Sequence, residues 1–296
     1  LMDIAWNFKR EHLRTQQRSH YVISNGGGQP NVVPPDATVW YYFRETDYDH
    51  IKELWDLGDT MAKAAAMMTG TSFTSRVLGS AWPQHGNRPI AQAMHTNIQK
   101  VGMPQWTEAD QQFGRALQRA QGAVERGLVT HVPERLTGRE SIPDSEQQGG
   151  ASDDIGDIMW SLPTVPLSFP SNVPGATGHH WTSAVSMATP VAHKGATQAA
   201  KVEAMTALDL LMRPELVTAA REYFDNVQQA PKVYKPLLRP EDKPAVWLNK
   251  DTMDRFKPEL RKFYYPGSNS KCYVEQPGAP YPPPMPPAPS TTKPQQ

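Results

Sequence analysis

The chain has one cysteine, Cys272, in 296 residues. A single thiol forms no intramolecular disulfide and supplies no Cys-based zinc knuckle. It fits a reducing compartment, and a cytoplasmic location is expected. An excess of charge is also missing: Lys+Arg 30 against Asp+Glu 30 leaves a formal net charge of +0. Nucleic-acid recognition draws on a basic surplus, so no nucleic-acid partner is expected. No apolar run approaches the ~20 residues of a membrane-spanning helix, so none is expected to enter a membrane. No G-x-G-x-x-G opens a helix, which leaves Gly26, Gly27 and Gly28 without a dinucleotide role. Proline is plentiful instead, and 15 of the 29 prolines lie from Pro231 onward. The run Tyr281-Pro282-Pro283-Pro284-Met285-Pro286-Pro287 reads as an extended, solvated, disordered tail.

What is present is a succession of patterned elements. Leu1, Ile4, Ala5 and Phe8 follow helical spacing with no capping residue before them. The chain opens on Leu1, so the N-terminal part of a larger protein is expected ahead of it. Residues 19–24 and 37–44 read as strands, the second rich in β-branched and aromatic residues. Residues 47–68 read as a helix, with Ile51, Leu54, Trp55, Met61, Ala65 and Met68 in one stripe and Gly70 at its end. Residues 71–80 read as a further strand. Helix, strand, strand, helix, strand becomes βαββαβ once a first strand is added, the ferredoxin-like unit.

From residue 84 helices dominate. Asn87 and Pro89 open one that Gly102 closes, and Thr107 with Asp110 resembles a capping box. Residues 130–151 read as an exposed loop. Pro190 opens a long helix with Val202, Met205, Leu208 and Met212 on one face, and Pro214 opens another.

Chemistry concentrates in Ser152-Asp153-Asp154-Ile155-Gly156-Asp157 and in Gly178-His179-His180-Trp181. Acidic residues followed by histidine suggest one wall of a metal site, yet zinc takes three or four protein ligands. Gly175 and Gly178 leave room for an ion at His179, and Pro174 stiffens the entry. The plain alternative is an exposed loop histidine, and spacing alone does not separate His179 from His180. Asp153, Asp154 and Asp157 suit helix capping or the orientation of a ligand histidine. Asn31 suits a turn. Arg44 ends a strand, where its planar fork either reaches water or clamps a carboxylate. His193 reads as structural, and Cys272 is given no catalytic role.

Taken together, His20-Tyr21-Val22-Ile23-Ser24-Asn25-Gly26-Gly27, Pro30-Asn31-Val32-Val33-Pro34, Tyr41-Tyr42-Phe43-Arg44, Ser152 to Asp157, Gly178-His179-His180-Trp181 and Ala192-His193-Lys194-Gly195 resemble the dinuclear-zinc amidohydrolases of metallopeptidase family twenty. Within that family the p-aminobenzoyl-glutamate hydrolase group is the nearest in look. The resemblance spans residues 1 to 265 and implies an α/β (α+β) protein. Residues 1–83 would be a partial ferredoxin-like dimerisation (lid) domain lacking its first strand. Residues 84–235 would be the C-terminal part of a zinc-aminopeptidase-like α/β catalytic domain, and residues 236–296 a Pro-rich extension. It also implies a homodimer formed through the lid, and a substrate that is a small N-acyl amino acid such as p-aminobenzoyl-glutamate. The implied cofactor is two divalent metals, zinc first, with manganese or cobalt as alternatives.

By the same resemblance His179 matches the last metal ligand, Asn31 and Arg44 match substrate-binding lid residues, and Asp154 matches an acid just outside the ligand set. Thr177 departs from the pattern, which has Pro there. No His-x-Asp, His-x-His or Glu-Glu pair occurs. The general base and most ligands are therefore expected ahead of Leu1, and the chain alone is expected to be inactive. A non-enzymatic dimerisation or interaction module derived from the family accounts for the same absences.

Overall fold

In a computed structural model of the chain, residues 1–138 and 152–263 are described. Cys272, the Pro-rich run and the glycine-containing end of the 130–151 loop lie outside the described residues. The chain divides into two compact units. One comprises Leu1–Gly86, Thr137–Thr164 and Asp225–Ala245, the other Asn87–Leu136, Val165–Phe224 and Val246–Gln296.

In the first unit, strand β1 (Arg18–Asn25) pairs antiparallel with β2 (Thr38–Arg44), from Arg18 opposite Arg44 to Asn25 opposite Thr38. Alternation along a strand sends successive side chains to opposite faces. Phe43, Tyr41 and Ser19 turn toward helix α1 (Met2–Arg10). Trp6 of α1 is fully buried, donates from Nε1 to Ser19 Oγ at 2.7 Å, and packs edge-on and tilted against Tyr41 and Phe43. The Tyr41 phenol pKa is pushed up to about 12, first by burial and then by Asp3. The other face carries His20, Val22, Trp40 and Tyr42, all exposed.

Helix α2 (Tyr48–Thr69) starts at Asp47, whose carboxylate accepts from the Asp49 and His50 amides, and stops at Gly70 in the left-handed region at φ 63°. Its Gly58 is a packing requirement: a Cβ there would meet Phe43 Cζ at 2.6 Å. The expected strand over 71–80 does not form, because residues 71–87 carry no regular structure. β-Branched residues favour extended backbone, but a strand exists only through its ladder. Thr71, Ser72, Thr74, Ser75 and Arg76 are exposed and join neither strand. The layer is thus a two-stranded hairpin with helices, and the described chain is a mixed α+β protein.

The second unit is built, among its described residues, from helices. Helix α3 (Arg88–Val101) is capped by Asn87, whose Oδ1 accepts from Ile90 N, with Pro89 in its first turn. Helix α4 (Glu108–Ala120) opens on the reciprocal box expected of Thr107 and Asp110. In the first unit, a short helix α5 (Ile155–Met159) follows the acidic motif. Helices α6 (Trp181–Met187), α7 (Pro190–Met212) and α8 (Pro214–Tyr223) complete the second unit's main body. Phe113, Leu117, Leu128, Val173 and Val191 form its apolar centre, with Trp106 and Val185 beside them.

Of the expected Val202/Met205/Leu208/Met212 stripe of α7, Val202 is buried while Leu208 and Met212 are exposed. Val191, Gly195 and Thr206 go inside with Val202. Buried Asn97 of α3 accounts for Thr206, donating to its Oγ1 at 3.2 Å and to Asp209 Oδ2 at 2.8 Å. An eleven-residue helix α9 (Lys250–Leu260) also forms in the proline-rich region, with Pro258 inside it and no buried residue. No described helix is long and apolar enough to cross a membrane.

Candidate functional site

The acidic motif is organised around one tryptophan. Gly156 packs so closely on Trp82 that a Cβ would lie 1.9 Å from the Trp82 carbonyl oxygen. Asp157 accepts from Trp82 N at 3.2 Å through Oδ2 and from Tyr234 Oη at 2.8 Å through Oδ1. Trp82 in turn donates from Nε1 to Lys235 O at 2.8 Å. Its ring lies between Tyr48, stacked at 4.1 Å, and Trp160 and Tyr234 at 4.7 and 5.1 Å. Burial, followed by the bond to Asp157, pushes the Tyr234 phenol up to about 12. His85 stands edge-on to Trp160 and bonds through Nδ1 to Gln228, and burial holds its imidazole below the usual range. This knot fixes the local backbone, with both Asp157 carboxylate oxygens taken up by Trp82 and Tyr234.

The two residues ahead of it do different work. Asp153 takes the capping role, accepting from Ile155 N at 3.1 Å and from Gln84 Nε2 at 2.7 Å. Asp154 is exposed, and its side chain makes no capping bond to α5. Its carbonyl starts the helix, accepting from Asp157 N at 3.1 Å.

Arg44 closes the open end of the hairpin and donates from Nη2 to Ser152 Oγ at 2.9 Å, next to this acidic pair. Asn31 sits in the connection at the other end of the same hairpin, exposed. The ladder between the two ends spans roughly 20 Å at about 3.3 Å per residue. The structure therefore brings Arg44 to Ser152 and leaves Asn31 at the hairpin's far end.

His179 belongs to the second unit, and here the backbone separates it from His180. His180 is the N-cap of α6: its Nδ1 contacts Thr182 Oγ1 at 2.7 Å and accepts from Thr182 N at 3.5 Å. His179 has φ 53°, the one positive φ on a non-glycine residue among the described residues. A side chain held in the left-handed region costs conformational energy and marks a position worth explaining. The His179 side chain is exposed, and nothing lies within 4 Å of a Cβ built on Gly178 beside it.

The Ala192-His193-Lys194-Gly195 motif is structural. A Cβ on Gly195 would meet Pro170 O at 2.2 Å, and Lys194 Nζ pairs at 2.5 Å with the fully buried carboxylate of Asp110 in the α4 capping box.

No protein-family model matches the chain. Curated proteins do. The chain is 28% identical over 256 residues to a subunit of p-aminobenzoyl-glutamate hydrolase of Escherichia coli (strain K12), a match covering 80% of this chain and 53% of that protein. It is 26% identical over 222 residues to Xaa-Arg dipeptidase of Homo sapiens and 24% over 223 residues to that of Mus musculus, each match covering 73% of this chain and 42% of the relative. The chain is a homologue of these hydrolase and dipeptidase proteins. It spans about half the length of the curated relatives it matches.

A metal centre has to meet a donor count. The free imidazole of His179 suits a ligand, but among the described residues no group of three His, Cys, Asp or Glu side chains converges to hold an ion. The described residues do not complete a metal site, and His179 supplies one donor at most. Trp82 and Tyr234 escape a sequence reading because their contacts with Asp157 reach 75 and 77 residues along the chain. The signal for them was Gly156, a glycine inside an otherwise well-formed helix start.

Proposed function

We propose that the protein is an amide-cleaving hydrolase acting on small N-acyl amino acids such as p-aminobenzoyl-glutamate. The observation that carries this reading is the similarity to a p-aminobenzoyl-glutamate hydrolase subunit over 80% of the chain. Arg44 holds the substrate's carboxylate through its guanidinium fork, a charge-assisted bond of about 1.5–3 kcal/mol. Its tie to Ser152 keeps that fork oriented before substrate arrives. Asn31 contributes an amide to substrate binding. The cofactor is a divalent metal, zinc first with manganese or cobalt as alternatives, and it would supply Lewis-acid activation of water. Of its ligands this chain offers His179, and Asp154 serves as an acid outside the ligand set. The remaining ligands and the general base are not among the described residues, so residues 1–296 alone are expected not to turn over. A homodimer forms through the first unit, whose hairpin leaves Val22, Trp40 and Tyr42 uncovered.

Calorimetric titration with p-aminobenzoyl-glutamate and with p-aminobenzamide tests the reading. The wild-type chain is expected to prefer the glutamate conjugate, and Arg44→Ala to lose that preference about tenfold or more. Equal binding of both compounds by the wild type refutes the assignment. Chelator-sensitive hydrolysis by residues 1–296 alone would overturn the expectation that this chain does not turn over.

A further inference from the structure

The loop that presents His179 is held from beneath by two glutamines of α4 and its C-cap. Gln118 is buried in α4 and donates from Nε2 to Pro174 O at 2.9 Å and to Gly127 O at 3.1 Å, while its Oε1 accepts from Gly127 N at 2.9 Å. One turn on, Gln121 accepts through Oε1 from Thr177 N at 2.7 Å. The carbonyl of the same residue, Thr177, accepts from Ser183 Oγ at 3.1 Å. Thr177 is thus fixed on both sides of its own Cα. Two residues later the chain carries its one described non-glycine positive φ, at His179, and His180 then anchors into α6 through Thr182. Between the two anchors lie only Gly178 and His179.

Gln121 is not held by other demands. Its Nε2 is buried and makes no hydrogen bond. An unpaired buried donor is unfavourable. A side chain kept in that state with its acceptor on Thr177 N commits its one good bond to this loop.

We propose that Gln121 is a positioning residue for His179: by fixing the Thr177 amide it forces the two-residue span to His180 through the left-handed region and so aims the His179 imidazole away from the capping His180. This rests on the reading of His179 as a site residue. Gln118 holds the loop's entry at Pro174 and sets where that span begins.

The test uses the full chain, Gln121→Met to remove the acceptor, and Gln121→Glu to keep it. Amide hydrogen exchange is followed at Thr177, Gly178 and His179, and the His179 imidazole C2–H resonance is assigned from His179→Ala. Gln121→Met is expected to speed exchange at Thr177 about tenfold and to move the His179 resonance, leaving that of His193 in place. Gln121→Glu is expected to restore both signals toward wild type. A merely structural role would lower the melting temperature of Gln121→Met and leave the His179 resonance unmoved, and that result overturns the proposal. So does wild-type exchange at Thr177 in Gln121→Met. Should Gln121→Glu fail to fold, Gln118→Met serves as the second variant: exchange faster at Gly175 than at Thr177 supports the division of labour, and uniform loosening of the whole loop overturns it. If the reading of His179 as a site residue fails, that failure shows separately, as a His179 C2–H resonance that added zinc leaves unmoved while the exchange results stand.

Discussion

Replacing Gly156 by alanine should be among the most damaging small substitutions in the chain. The added Cβ would stand 1.9 Å from the Trp82 carbonyl oxygen, against a floor near 3.0 Å for real Cβ contacts, so one backbone must move by about 1.1 Å. Neither is free to do so. Trp82 is tied through its amide to Asp157 and through its indole to Lys235 O, and its ring is packed by Tyr48, Trp160 and Tyr234. Overpacking of this kind costs about 1–3 kcal/mol. Losing the hydrogen bond to the Asp157 carboxylate adds about 1.5–3 kcal/mol, and the better helix propensity of alanine returns roughly 1 kcal/mol. The net expectation is a loss of about 3 kcal/mol. Urea unfolding followed by tryptophan fluorescence and near-ultraviolet circular dichroism measures it through the midpoint and slope. Gly79→Ala is the control, because nothing lies within 4 Å of a Cβ there. If the two variants unfold within about 0.5 kcal/mol of each other, the scatter expected of innocuous surface changes, the close approach of Gly156 to Trp82 is refuted.

Four other outcomes follow from particular contacts. Gly195→Ala should destabilise the second unit for the same reason, since its Cβ would meet Pro170 O at 2.2 Å; near-wild-type melting rejects that contact. His179→Gly should raise stability by about 1 kcal/mol by relieving the positive φ, while His180→Ala should lower it by about 1 kcal/mol through loss of the α6 cap; thermal melts that reverse this order contradict the assignment of the two histidines. Burial holds the His85 pKa below its ordinary 6.5, so the unfolded chain takes the proton first; the contribution is present above pH 6.5 and is lost as pH falls below it, and urea midpoints at pH 7.5 and 5.5 should differ less in His85→Gln. Tyr234 and Tyr41 are raised to about 12, so their stabilisation is complete below pH 10 and lost as pH climbs from 10 through 12; absorbance titration at 295 nm should show late-titrating phenols, fewer in Tyr234→Phe.

The elements set by local chemistry were legible in the sequence. Asp47, Asn87 and Thr107 announce helix starts that their side chains do cap, and Gly70 and Gly102 end helices with positive φ. The two strands were legible because β-branched and aromatic residues crowd residues 37–44 and Asn25 to Gly28 end the run over 19–24. Residues 71–80 misled for the converse reason: composition reports a taste for extended backbone, but pairing depends on an edge elsewhere in the chain. Part of the buried face of α7 was hidden likewise, since Asn97, a polar residue on another helix, draws Thr206 inward past the larger Met205 and Leu208.

The site was legible to a different depth. Spacing does not separate His179 from His180, and the backbone gives them different places, His180 as the cap of α6 and His179 with its side chain exposed at a positive φ. The acidic motif divides in the same way. Asp153 caps, Asp157 binds Trp82 and Tyr234, and Asp154 keeps a carboxylate in solvent. Two of the motifs that carry the family resemblance therefore contain a glycine seated against a carbonyl oxygen, Gly156 on Trp82 and Gly195 on Pro170. No other residue fits such a place, so these positions resist change whatever the protein's chemistry. Similarity at these glycines is evidence about the fold. Evidence about the reaction has to come from the side chains that the fold leaves in solvent, which among the matched residues include His179, Asp154 and Asn31.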